Sequence, residues 1–166
     1  MEYLELLKNR YSCRKFKDID VSDDLIDKIL EAAILSPTAV NFEPQKIYVI
    51  RNKELLAKLS TATKYLFDAK LVFVIAYDKN ISWKRKSDNK EFGNIDAAIV
   101  TTNMMNMIHT LGLGCCMVCS MHQDRVEDIL ELPKNIEVLA LLPTGYPDEE
   151  SSAKKRKNKE EIVEYR

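Results

Sequence analysis

The chain has 166 residues, of which 46% are hydrophobic and 31% charged, and its net charge is −1. This length suits a single domain over residues 1–166, and the balance of 25 basic and 26 acidic side chains argues against a nucleic-acid partner. The apolar run at residues 71–76 is too short to span a bilayer, and residues 1–5 lack the pattern of a signal peptide. We therefore expect a cytoplasmic protein that binds no membrane.

The first half of the chain predicts two helices, a strand, a helix and a central strand. Ser22 is placed to cap the second helix, which Pro37 ends because proline disfavours helical geometry in the residue before it. The central strand is a continuous apolar run, as expected for a strand covered on both faces. In chain order, these elements cover residues 2–9, 22–36, 46–50, 53–63 and 71–77.

The second half predicts a polar surface loop, a long helix, a short buried strand, a short helix and a last strand. Gly112 is placed to end the long helix in a left-handed conformation. The irregular order of helices and strands predicts an α+β architecture. These elements cover residues 78–90, 93–111, 115–119, 124–131 and 136–142, and the long helix carries at helical spacing Ile95, Ala98, Ile99, Thr102, Met105 and Ile108.

Three of the four cysteines crowd into one apolar segment, which is unlike a secreted disulfide framework. Cys116 and Cys119 match a C-x-x-C spacing, but in a strand residues three apart point to opposite faces. No second pair follows, so we expect no metal site and interpret the thiols as buried and reduced. A thiol-redox role for Cys116 and Cys119 is the remaining alternative.

Residues 10–14 carry a pattern suited to a phosphate. In an extended segment Arg10, Ser12 and Arg14 project to one side, and arginine binds phosphate oxygens through two donors at once. The alternative is two surface arginines beside a helix-ending serine.

The loop at residues 36–45 offers a hydroxyl and a carboxamide. Asn41 presents one acceptor and two donors in a plane, which matches the imide edge of a flavin. An ordinary turn residue is the alternative. Together with residues 10–14, this loop suggests a phosphorylated, ring-bearing cofactor such as FMN.

Five motifs in order resemble the nitroreductase family of FMN-dependent oxidoreductases, over nearly the whole chain. They are R-x-S-x-R-x-F at residues 10–16, an altered P-S/T-x-x-N-x-Q-P at 37–45, a long helix from 96 leading into G-L-G at 112–114, G-Y-P at 145–147, and a basic segment at 154–156 ahead of residues 160–163. Departures are Tyr11 in place of a frequent arginine, the order of residues 43–46, and the shortness of the segment between residues 77 and 93.

The resemblance implies a homodimer with two FMN sites at the subunit interface. It also implies a central mixed or antiparallel sheet flanked by helices, and a C-terminal arm exchanged between subunits. Residues 10–14 would hold the phosphate and ribityl chain, residues 37–41 would come from the partner subunit, and residues 118–119 would pass along the flavin N5 edge. The implied cofactor-binding residues are Arg10, Tyr11, Ser12, Arg14, Pro37, Thr38, Asn41, Val118, Cys119, Gly145, Lys154 and Arg156.

The implied activity is that of an FMN-dependent oxidoreductase, which takes hydride from NADH or NADPH at flavin N5. It would reduce a small electron-poor acceptor, such as a nitroaromatic or a quinone, by a ping-pong mechanism. The flavin carries the chemistry, so we assign no catalytic side chain, and we interpret His109 and His122 as packed or surface residues. The alternatives are a flavin-binding protein, or other flavin chemistry such as dehalogenation or flavin breakdown on the same scaffold.

Overall fold

The computed structural model describes residues 2–151 and 154–166. Its five α-helices are α1 (Tyr3–Asn9), α2 (Asp23–Ile34), α3 (Lys53–Leu59), α4 (Gly93–Thr110) and α5 (Gln123–Ile129). Its four strands are β1 (Gln45–Ile50), β2 (Leu71–Asp78), β3 (Gly114–Cys115) and β4 (Ile136–Gly145), and short 3-10 helices lie at Ala39–Asn41 and Lys159–Glu161.

One antiparallel sheet, in the order β1-β2-β4-β3, forms the centre of the fold. β2 pairs with β1 on one side and β4 on the other, so Val74 faces both Tyr48 and Leu141. A register shift interrupts the β2–β4 ladder between Ile75 and Ala76. The predicted α+β class and antiparallel sheet are confirmed.

Helices cover both faces of the sheet because β2 alternates its apolar side chains between them. Phe73 and Ile75 pack with the apolar sides of α2 and α4, including Met104. Val72 and Val74 belong to the opposite layer, with α3 and α5. The burial of residues 71–77 confirms the prediction of a central strand covered on both faces.

The helix expected at residues 53–63 ends at Leu59, where turns take over. The prediction of a strand at residues 115–119 was wrong in extent, since only Gly114–Cys115 forms a strand in this region. Beyond it, Val118 forms an isolated bridge to Leu141. Gly112 has φ +76°, which confirms the left-handed end of α4.

The buried side of α4 includes only part of the apolar set singled out in the sequence, with Ile108 in the core. Val100 and Met104 lie in the core, whereas Ile95, Ile99 and Thr102 are exposed. The helix is apolar on two sides, so periodicity alone does not say which side faces the sheet. None of the helices in the described part of the chain has the length and apolarity needed to cross a membrane.

Candidate functional site

Residues 10–14 lie against the short strand β3. The amide of Cys13 donates to the carbonyl of Cys115 at 2.9 Å, and Ser12 bridges Cys115 in parallel orientation. The Cys13 side chain is fully buried, while Ser12 is half-buried and Arg14 exposed. A Cβ on Gly114 would lie 2.6 Å from the Cys13 Cβ, so only glycine permits this contact. The anchor at Cys13 thus presents Ser12 and Arg14 away from the core.

Four cations that the sequence assigned to a phosphate form no ion pair with any described residue: Arg10, Arg14, Lys154 and Arg156. The Lys154 ammonium donates to the carbonyls of Leu7 (2.8 Å) and Arg10, which end α1. Burial lowers the pKa of Lys154, and the charges of Arg10 and Arg156 lower it further. This mutual repulsion makes the cluster suitable for an anion. We call Arg10, Lys154 and Arg156 the cation cluster.

The cation cluster reaches the last turn of α4. Burial lowers the pKa of His109, with further contributions from Arg10 and Lys154. The Tyr11 ring lies edge-on to the His109 ring, with centroids 6.4 Å apart. His109 is therefore disfavoured as a proton donor at neutral pH, in agreement with its interpretation as a packed residue.

Glu149 is a neighbour of residues 10–14 that the sequence did not single out. Its Oε1 accepts a hydrogen bond from the Arg14 amide at 2.7 Å, and its carbonyl accepts one from the Tyr11 hydroxyl at 3.3 Å. The only signal was its place in a run of acids directly after residues 145–147. Within the described residues the Arg14 guanidinium donates to the Ser12 carbonyl alone, at 3.2 Å.

Val118 and Cys119 differ in which backbone groups they leave free. The Val118 amide donates to Leu141 at 2.8 Å and its carbonyl accepts from Leu141 at 2.9 Å, so both are occupied. Among the described residues the Cys119 amide donates no hydrogen bond, and its side chain is exposed. Cys116 is buried, which raises the pKa of its thiol. Of the two residues, Cys119 is therefore the better candidate to donate a backbone hydrogen bond to the N5 edge of a flavin.

Gly145 ends β4 opposite Gly114, directly beneath residues 10–16. A Cβ there would lie 3.2 Å from two atoms of the Phe16 side chain, tighter than most packing contacts. The amide of Lys17 donates to the carbonyl of Tyr146 at 2.8 Å. Gly145 therefore has a packing role in the structure, because its missing side chain makes room for Phe16.

Pro37, Thr38 and Asn41 lie in a loop that its own contacts hold in place. The Thr38 hydroxyl accepts from the Glu43 amide at 3.0 Å, and the Asn41 side-chain amide donates to the Glu43 carboxylate at 3.0 Å. Val40, Asn41 and Glu43 all have positive φ, at 55°, 56° and 51°. Non-glycine residues adopt this region at a cost, which often marks a functional loop.

This loop is fastened to the first turn of α4, far from the cation cluster. The Ala39 amide donates to Asp96 Oδ1 at 2.9 Å, while the buried Asp96 Oδ2 has no partner in the described chain. Asp96 was noted in the sequence only as part of a motif. Thirteen residues separate it from His109, so the helix places the two ends about 20 Å apart. One chain does not bring the two groups of predicted residues together.

No group of three or more metal-ligating side chains forms within the described ranges. Several large apolar side chains are exposed on α1, the end of α2, the 36–43 loop, the outer side of α4 and the C-terminal segment. They include Tyr3, Leu4, Ile34, Leu35, Val40, Phe42, Ile95, Ile99, Ile162 and Tyr165. Large apolar side chains exposed in this number are typical of surfaces that bind another protein.

Comparison with known proteins identifies relatives of this chain both in sequence and in structure. The profile described as the Nitroreductase family matches residues 7–67 and 62–146. A protein of Methanothermobacter thermautotrophicus, named as a candidate NADH dehydrogenase/NAD(P)H nitroreductase, is 34% identical over 90% of this chain and 79% of its own. A nitroreductase family protein of Clostridium difficile is 35% identical, with a TM-score of 0.93 over 99% of this chain and 98% of that one. An FMN-dependent nitroreductase from another strain of that species is 29% identical, with a TM-score of 0.84 over 98% of both chains.

Proposed function

The chain belongs to the nitroreductase family, and from that premise we propose that it is a cytoplasmic, single-domain, FMN-dependent oxidoreductase. Its proposed donor is NADH or NADPH, and its acceptor is a small electron-poor molecule such as a nitroaromatic or a quinone. The observation that carries the proposal is the cation cluster, whose charges repel one another and form no ion pair with an acid among the described residues. The FMN-dependent relative supports the identity of the cofactor.

The donors around residues 10–14 fit the phosphate of FMN. A dianionic phosphate would replace the repulsion between Arg10, Lys154 and Arg156 with attraction, and Ser12 adds a hydroxyl donor. Lys154 already uses two of its donors on the end of α1, so Arg10, Arg14 and Arg156 are the main phosphate ligands in this proposal. The Cys119 amide is assigned to the N5 edge.

When bound, FMN would supply the redox chemistry, which is hydride transfer from NAD(P)H at N5 and reduction of the acceptor. The chain contributes binding and orientation. The Cys119 amide would orient the ring edge, while Ser12 and the three arginines would hold the phosphate. His109 donates no proton, because burial and neighbouring cations disfavour its charged form.

The homodimer is part of the same proposal. Residues 10–14 and 37–41 contact opposite ends of α4, and α1, α2 and α4 each expose large apolar side chains. In a two-fold dimer, the loop of the partner subunit completes each site. Residues 154–166 are mostly exposed, and we propose that they form an arm exchanged between subunits.

Mixing two defective variants tests the shared site. We expect Arg14→Ala and Asn41→Ala to weaken FMN binding separately. After random mixing, half of the dimers carry one intact and one doubly defective site, so about a quarter of wild-type binding should return. A monomeric mass by light scattering, or no recovery on mixing, would contradict a site built from two subunits.

Steady-state kinetics test the activity. With FMN bound, oxidation of NADPH or NADH should require an acceptor such as menadione or a nitroaromatic, and double-reciprocal plots should be parallel. Stoichiometric FMN without turnover on any acceptor would instead favour a flavin-binding protein.

A further inference from the structure

Two adjoining cavities lie near the segment that follows Cys119. The first, of about 460 Å³, lies between residues 60–65 and Ser120, Met121 and His122. The second, of about 350 Å³, lies between α3 and residues 63–70. Ser60, Thr63 and Lys64 line both, so they form a common wall. Each volume is in the range of small-ligand sites.

The common wall is held rigidly to the segment that follows Cys119. The Thr63 hydroxyl donates to the Ser120 carbonyl at 2.8 Å and accepts from the Tyr65 amide at 3.2 Å. The His122 amide donates to the Ala62 carbonyl at 2.9 Å, and both Ala62 and Thr63 are buried. The first cavity therefore has a fixed position relative to the proposed flavin edge.

The floor of the second cavity is apolar, and a strained turn shapes it. Phe67 and Asp68 both adopt left-handed φ values, 55° and 54°, and the Ala69 amide closes the turn on the Leu66 carbonyl at 3.1 Å. Leu56, Leu66 and Phe67 provide apolar surface for a flat ring. A strained turn of this kind is retained where the conformation serves a purpose.

The rim of the second cavity is positively charged. Lys53, Lys64 and Lys70 line it, and Asp68 is the one acid among its lining residues. Lys70 pairs with Asp18 at 2.6 Å, whereas Lys53 and Lys64 form no ion pair within the described residues. Besides Lys70, which has the larger effect, Lys53 lies close enough to Asp18 to lower the pKa of that carboxyl, and the Lys64 ammonium lies 5.3 Å from the centroid of the Tyr65 ring, so neither lysine is held in a close ion pair.

We propose that the second cavity binds the adenosine 2′-phosphate of the nicotinamide donor, so that the enzyme prefers NADPH to NADH. The inference rests on the proposed function for the position of the nicotinamide half, which enters the first cavity beside Cys119. A dinucleotide has two mononucleotide halves, matching two cavities with a common wall. The purine packs on the apolar floor, and Lys53 and Lys64 bind the 2′-phosphate. At the 2′ position NADH has only a hydroxyl, which would leave the ammonium groups of Lys53 and Lys64 without an anionic partner.

Calorimetric titration of the purified protein with adenosine 2′,5′-bisphosphate and with 5′-AMP tests the site without relying on flavin chemistry. We expect the bisphosphate to bind about tenfold more tightly, and Lys53→Gln or Lys64→Gln to lower that affinity about five- to tenfold. Lys58→Gln is the matched control, since Lys58 is exposed on α3 and lines neither cavity. Equal affinity for the two nucleotides, no binding of either, or an equal loss in the control would overturn the proposal.

The ratio of kcat/KM for NADPH to that for NADH is the second measurement. It should fall about five- to tenfold in Lys53→Gln and Lys64→Gln through a higher KM for NADPH, because the 2′-phosphate is remote from the reacting atoms. Flavin reduction with an unchanged ratio would overturn the adenosine site alone. Bisphosphate binding without flavin reduction would support the site and count against the proposed function.

Discussion

Replacing Arg10 with Gln separates phosphate binding from the stability of the fold. Arg10 forms no ion pair within the described chain, and its charge disfavours protonation of His109 and Lys154. Glutamine removes that repulsion, so the free energy of unfolding of the apoprotein should change by no more than about 0.5 kcal/mol. A charge-assisted hydrogen bond contributes about 1.5–3 kcal/mol, so the FMN dissociation constant should rise about tenfold to a hundredfold.

Flavin fluorescence measures the dissociation constant, and urea unfolding of the apoprotein measures stability. Arg125→Gln is the control, because Arg125 is exposed on α5 and changes the net charge equally. We expect it to match the wild type in both assays. An FMN affinity for Arg10→Gln within about twofold of wild type, or an equal loss in Arg125→Gln, would refute the placement of the phosphate.

Three further predictions concern acid stability, thiol reactivity and glycine packing. Burial and neighbouring cations lower the pKa of His109 from 6.5, so as the pH falls the His109 imidazole is protonated in the unfolded chain before it is protonated in the folded one. Urea unfolding should therefore show a steeper loss of stability below about pH 6.5 in the wild type than in His109→Gln. Cys119 is the one exposed cysteine, so a thiol reagent should modify one thiol per native chain, none in Cys119→Ser, and more slowly with FMN bound. Gly114→Ala should cost about 1–3 kcal/mol by urea unfolding and weaken FMN binding, because its Cβ meets Cys13 at 2.6 Å. Gly112→Ala should cost about 1 kcal/mol from its left-handed backbone and leave FMN affinity unchanged.

The sequence correctly predicted the elements whose residue pattern is compatible with only one local structure. The apolar run of β2 is long enough to require burial on both faces, and Pro37 and Gly112 end their helices by local geometry. The strand predicted from residue propensities at residues 115–119 was too long, because pairing with β4 stops after Cys115 and resumes only at Val118.

The donors at residues 10–14 could be named from the sequence, because phosphate recognition needs particular residue types at particular spacings, and their role in binding a phosphate stays a prediction. The surroundings were not predictable, because they come from distant parts of the chain. Glu149 contacts Arg14 across 135 residues, and Lys154 contacts Leu7 across 147. Local patterns hold no information about such pairs. The sequence therefore named Arg14 and Lys154 as candidate donors, but it did not predict Glu149 beside Arg14 or the contact of Lys154 with the end of α1.

The absorbance spectrum of the FMN-reconstituted protein, recorded anaerobically before and after adding NADPH and then NADH, tests the central claim most directly. We expect flavin bands that bleach with at least one donor and return when menadione is added. Protein that takes up no FMN, or bound flavin that dithionite reduces while neither nicotinamide does, would contradict an FMN-dependent NAD(P)H oxidoreductase.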